Sequence, residues 1–203
     1  MRIAFVISEH AGGLLPERME RYRQVVDRLA QLARADLVTA HYSELDAVDA
    51  DATVLSGSAD PWSAHDPSAL DRLSEMLRAR EGPVLGICAG MQLLARAAGA
   101  RVDTAERPAR PGFETIDVLD RSDLLAGLDE RVSVWEHHTD EVVSAPAGYR
   151  LLARSDACGV EAFAADDRPW WGTQFHPEEW SADHPAGRAI LENFLRLAEI
   201  PLR

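Results

Sequence analysis

Lysine is missing from this 203-residue chain, and all 21 of its cationic residues are arginine. That excludes a P-loop, whose lysine reaches the phosphates, and any Schiff-base or pyridoxal chemistry, which needs an amine. Positive charge is scarce altogether: 34 acidic residues bring the formal charge to −13. A chain so acidic has no sequence-independent hold on nucleic acid or on an anionic membrane, because both need a positive patch. Cysteine is nearly absent too. Cys88 and Cys158 are the only two, with neither the paired spacing of a zinc site nor a disulfide framework, which fits a reducing cytoplasm. No stretch approaches the ~18 uninterrupted apolar residues of a membrane helix, and the amino-terminal run is too short for a signal peptide. The expectation is a soluble, unprocessed cytoplasmic protein without a nucleic-acid or membrane partner. His10, His41, His65 and His184 lack ligand spacing, and Gly12-Gly13 lacks the remaining glycines of a dinucleotide loop, so neither a metal nor a cofactor is expected.

What is present is enough apolar sequence, 46% of residues, for one substantial core, expected as a single domain over residues 1–203. Residues 3–7 form a continuous apolar run, as a parallel strand does when both faces are buried. Met19, Tyr22, Val25, Val26, Leu29 and Leu32 recur at the three-and-four spacing of an amphipathic helix. Further strands are predicted at 37–40, 52–55 and 83–87, and a helix starting at Asp66-Pro67 presents Leu70, Leu73, Met76 and Leu77. Residues 89–98 are strongly helix-forming. From about 100 to 174 the pattern breaks into short β-like pieces at 115–119, 132–135, 142–143, 160–163 and 170–174, and a last helix spans about 185–198. The predicted fold class is α/β: a mostly parallel, flavodoxin-like central sheet flanked by helices, with a small antiparallel extension. Its site is expected at the carboxyl ends of the strands.

Two short motifs carry chemistry. Gly86-Ile87-Cys88-Ala89-Gly90 has the glycine spacing of a nucleophile elbow at a strand-to-helix turn, where the first helical N–H groups favour a thiolate. An ordinary buried thiol is the bland alternative. Gln174-Phe175-His176-Pro177-Glu178 puts His176 and Glu178 two residues apart in extended chain, on the same side, a base beside the carboxylate that would orient it. Alone it would read as a surface turn. His137 reads as exposed or hydrogen-bonded, Cys158 as structural, and Trp170, Trp171 and Trp180 as packing that shields His176.

Together, residues 86–92 and 172–178 resemble the two signatures of the class I glutamine amidotransferases. Leu55-Ser56-Gly57-Ser58-Ala59-Asp60-Pro61 is similar to that family's oxyanion loop, and His138-Thr139-Asp140 to its His-x-Asp segment. The resemblance covers nearly the whole chain and leans toward guanylate-synthase-like standalone members. It implies that Cys88, His176 and Glu178 are a catalytic triad attacking the side-chain amide of L-glutamine. The main-chain N–H groups of Ser58 and Ala89 would hold the oxyanion, each such donor typically contributing ~3 kcal/mol. Gly57, Gln92, His138, Thr139 and Asp140 would bind substrate. The chain departs from the family at Ser58, where a second glycine is usual. Because 203 residues offer no ATP or acceptor site, the ammonia would pass to a separate synthetase subunit. A self-sufficient γ-glutamyl amide or peptide hydrolase and a non-catalytic accessory subunit are the competing readings.

Overall fold

The computed structural model describes the backbone of residues 1–203 and every side chain except those of Asp46 and Ala47. Nine strands form one mixed sheet in the order β2-β1-β3-β4-β9-β8-β7-β5-β6. β1 (Arg2–Ile7), β2 (Asp36–His41), β3 (Ala52–Leu55), β4 (Val84–Ile87) and β9 (Trp170–Thr173) are its parallel part. β5 (Val102–Val118), β6 (Arg131–Val142), β7 (Tyr149–Arg154) and β8 (Ala162–Ala165) continue it antiparallel.

The core lies on both faces of the sheet because the central parallel strands are apolar at nearly every position. Along β1, Ile3, Phe5 and Ile7 join one apolar cluster while Ala4 and Val6 join the other, as the two-residue period of a strand requires. α1 (Pro16–Leu32) brings Tyr22, Val25, Leu29 and Leu32 to the first face, and α4 (Ala186–Leu197) adds Ile190, Leu191, Phe194 and Leu195. α2 (Pro67–Arg78) and α3 (Ala89–Ala97) cover the second face. α2 starts where its residues dictate, with the Asp66 carboxylate accepting from the Ser68 N–H at 3.0 Å and Pro67 in the first turn, where its missing N–H costs nothing. No helix among the described residues is long and apolar enough to cross a membrane.

The antiparallel part is larger than the short pieces predicted. Residues 115–118 are the end of the 17-residue β5, and 132–135 and 142 belong to one strand, β6, with 119 and 143 just beyond the strand ends. The strand expected at 160–163 is displaced to Ala162–Ala165, and β7 has no counterpart among the predicted strands. β5 hides in the sequence because Pro108, Pro111 and the arginines at 107 and 110 read as loop. The β5–β6 pairing absorbs the prolines through register shifts between Thr104 and Ala109 and between Ala109 and Gly112, where a bulge removes the demand for a ladder N–H.

Candidate active site

β4 ends at Cys88, whose backbone turns to φ 52° and ψ −108° before α3 begins. A side chain at positive φ costs on the order of 1–3 kcal/mol and persists where the surroundings enforce it. Here the enforcement is the contact on both sides. A Cβ on Gly86 would come within 2.5 Å of the Gly90 carbonyl, and one on Gly90 within 2.4 Å of the Leu55 carbonyl oxygen. Strand, turn and helix pack so closely that the thiol is driven to the carboxyl end of the sheet. It remains 6% exposed. The first intrahelical bond runs from the Gln92 N–H to the Cys88 carbonyl at 3.0 Å, so the Ala89 N–H is among the first-turn donors without a partner in the helix.

β9 carries the second group to the same place. The His176 N–H donates to the Trp135 carbonyl at 2.8 Å, fixing the chain, and His176 Nδ1 lies 2.8 Å from Glu178 Oε1. Both side chains are buried. Burial alone would pull the imidazole down, but the charges of Glu178 and Cys88 and a hydrogen bond to each raise it well above its ordinary value. A hydrogen bond from Nδ1–H to Glu178 leaves Nε2 for the sulfur.

All ten candidate site residues from the sequence line one cavity of about 370 Å³. Its wall of residues 57–60 is held by a side chain the sequence reading missed. Glu9, fully buried at the end of β1, accepts from Ser58 Oγ at 2.7 Å, from the Asp60 N–H at 3.0 Å, from the Ala59 N–H at 3.2 Å and from Tyr22 Oη at 2.9 Å, with Arg18 Nη1 at 3.3 Å. The Gly57 carbonyl, 3.2 Å from the same Tyr22 Oη, shares that hydroxyl's single proton with Glu9. Burial and the Glu9 charge push the Tyr22 phenol up. Ser58 is thus a cross-link: its hydroxyl binds Glu9, and its main-chain N–H has no side-chain partner among the described residues. The signal for Glu9 was its position just past a parallel strand, where open α/β sheets collect functional groups. Tyr22 read as helix core.

On the opposite wall, Gln92 Nε2 donates to the Asp140 carbonyl at 2.7 Å and to Gln174 Oε1 at 3.1 Å, while its Oε1 accepts from Trp62 Nε1 at 2.8 Å. Both amide hydrogens are engaged, so only the carbonyl has capacity for a ligand. Gln174 Nε2 reaches Cys88 Sγ at 3.6 Å; it stands two residues before His176 and was legible from the same strand period. Thr139 and Asp140 border the cavity, and the exposed His137 offers its carbonyl 3.9 Å from the sulfur. His138 is buried behind them and held neutral, desolvation lowering its pKa to about 4. Trp170 and Trp171 are core residues on opposite faces, and Trp62 is the tryptophan that lines the cavity.

The arrangement suits acyl transfer: a thiol on a strained turn, an imidazole oriented by a carboxylate, and free main-chain donors on two sides. A family model described as Glutamine amidotransferase class-I matches residues 22–198. The chain is 44% identical over 115 residues to a subunit of the glutamine-hydrolyzing GMP synthase of Pyrococcus furiosus, a match covering 57% of this chain and 60% of that one. Against the protein of the same name from Haloarcula marismortui it is 40% identical over 154 residues, 75% of this chain and 76% of the relative. Among solved structures, a protein described as a GMP synthase subunit from Thermoplasma acidophilum superposes with a TM-score of 0.80 at 29% identity, covering 98% of this chain and 94% of that one. A glutamine amidotransferase from Thermotoga maritima shares the fold, with a TM-score of 0.73 at 16% identity over 97% and 98% of the two chains.

Proposed function

The chain belongs to the class I glutamine amidotransferases, and on that premise we propose that it hydrolyses the side-chain amide of L-glutamine and delivers the ammonia to a separate synthetase subunit. The observation that carries this reading is the convergence of Cys88, on its strained elbow, with the His176–Glu178 pair in one cavity. Cys88 sulfur attacks the amide carbon, and the oxyanion is held by the main-chain N–H groups of Ser58 and Ala89. The carbon–nitrogen bond breaks as His176 hands a proton to the leaving ammonia, which leaves a γ-glutamyl thioester. Water, deprotonated by the same imidazole, then displaces the sulfur and frees glutamate. Glu178 keeps the imidazole in the tautomer that serves both transfers.

Glutamine itself is read by Gln92, through its carbonyl, and by the Gly57 and His138–Asp140 walls. That the relatives are named as subunits of a glutamine-hydrolyzing GMP synthase supports a synthetase partner. The test is glutamate release from L-glutamine, with a panel of γ-glutamyl peptides alongside, and labelling by an electrophilic glutamine analogue. Both release and labelling are expected to vanish in Cys88→Ala. Release that survives the substitution would sink the triad, and turnover of peptides in preference to glutamine would replace the amidotransferase by a hydrolase.

A further inference from the structure

Behind the His138–Asp140 wall lies a second cavity of about 510 Å³, lined by Glu136, His138, Ser155 and Glu161 among others. His138 borders both cavities. Around it the fold gathers an uncommon set of buried groups: Glu136, His138, Cys158 and Glu161 are 3%, 5%, 1% and 1% exposed. A nitrogen of His138, the sulfur of Cys158 and a carboxylate oxygen of Glu161 all lie within 4.8 Å of one another. Glu136 Oε2 is 3.6 Å from His138 Nε2.

These groups are poorly satisfied. Neither oxygen of Glu136 nor Oε2 of Glu161 receives a hydrogen bond from another group among the described residues, the two carboxyls facing each other; Nδ1 of His138 has no partner within hydrogen-bond distance, and although Arg107, Arg110 and Arg131 line the same cavity, none of them pairs with either acid among the described residues. Buried polar atoms are ordinarily paired, and each orphan costs about 1–3 kcal/mol. The 3.6 Å between Glu136 Oε2 and His138 Nε2 is too long for a hydrogen bond. Either the acids keep their protons in the dark, or a cation belongs there.

The donor chemistry favours the cation. We propose that His138, Cys158, Glu161 and Glu136 form a structural zinc site that pins β6 to the turn between β7 and β8. One thiolate, one imidazole and carboxylates are the ligand types Zn²⁺ takes, and four protein ligands leave no open position, as in structural sites. Bonds of about 2.0–2.3 Å place tetrahedral donors roughly 3.5 Å apart, so the His138, Cys158 and Glu161 donors contract from within 4.8 Å of one another, while Glu136 already stands 3.6 Å from His138. The thiol and carboxyl protons leave to solvent as the ion enters. The sequence could not show the site, since His138 and Cys158 stand 20 residues apart with no ligand spacing and meet only through the β6–β8 topology. Its consequence is mechanical. An ion held by His138 fixes the backbone of Thr139 and Asp140 on the wall of the first cavity, whatever that cavity binds.

The test uses the full chain without a polyhistidine tag and carrying Cys88→Ala, so that Cys158 is its only thiol. After chelation and dialysis, zinc uptake is measured by plasma mass spectrometry and cobalt uptake by absorption. The expected result is stoichiometric zinc, a higher melting temperature with the metal, and a thiolate-to-cobalt charge-transfer band. In the same background Cys158→Ser should abolish the band, and Glu161→Gln should weaken binding at least about tenfold. Substoichiometric zinc would overturn the site and leave the acids protonated. Stoichiometric metal without a thiolate band would also overturn it, because the ion would then lie elsewhere. The band in the parent decides the matter even if Cys158→Ser fails to fold.

Discussion

One glutamate is buried in a wall of the first cavity and another behind the opposite wall, in opposite circumstances. Glu9 receives Ser58 Oγ, two main-chain N–H groups and Tyr22 Oη, with Arg18 beside it. Glu136 faces another acid, Glu161, and receives no donor from any other group among the described residues. Burial is nearly the same for both, so the difference lies in the donors supplied. Where donors converge, a buried acid is a tie that shapes a loop. Where they are absent, the group stays neutral or waits for a cation. Glu178 stands between these extremes, with Oε1 on His176 and Oε2 unpartnered.

Replacing that intermediate acid should have the largest effect on rate. Glu178→Gln keeps the shape but loses the charge that raises His176, and glutamate release should fall by on the order of 10³–10⁴-fold. The sign on stability follows from the direction of the shift. His176 is raised in the folded state, so the pairing contributes fully below its ordinary value of 6.5 and is lost as pH rises through the folded-state value. Wild type should therefore exceed the variant most in acid, with the gap closing in base; urea unfolding across pH and the His176 NMR titration would both report it. A gap that widened with pH would contradict the ion pair.

Removing the satisfied acid comes next. Glu9→Ala strands its donors, so stability should drop by about 3–5 kcal/mol and glutamate release by about 100-fold as the loop shifts. Unfolding curves beside steady-state rates would measure both. Unchanged values would erase the contrast between the walls. Ser58→Gly removes one of those bonds and keeps the main-chain N–H: stability should fall by about 1 kcal/mol, with turnover within about tenfold of wild type. A collapse of turnover would mean that the hydroxyl, and not the backbone, faces the oxyanion. Glu136→Gln should change least. In chelator-treated protein the amide replaces a neutral acid of the same shape, and the melting temperature should move by no more than the shift that about 1 kcal/mol produces. A large loss would show that Glu136 carries charge without metal.

The parallel strands, their helices and the two motifs at Cys88 and His176 were legible because each is a local pattern. Unbroken apolar runs mark strands buried on both faces, three-and-four spacing marks a helix face, and glycines two residues either side of a cysteine mark an elbow. β5 and β7 were not legible. An edge hairpin with one wet face tolerates prolines and arginines, so its residues look like loop until the partner strand supplies the register. Glu9 and Gln174 lay in plain positions but had no motif of their own, since their partners come from residues 22 and 58–60 in one case and 88 and 92 in the other.

What the sequence determined by itself was the alternation of buried strands and helices along the first half of the chain, the thiol at the end of β4 and the imidazole–carboxylate pair after β9, because periodicity and turn chemistry act over a few residues. What only the tertiary structure decided was which groups meet. Positive φ at Cys88 is enforced by Leu55 and Gly90, the wall of residues 57–60 is braced by Glu9 from just past the first strand, and three buried ligand-type side chains converge on His138. Those outcomes depend on strand order and close packing, which set distances between residues that no short window of sequence contains.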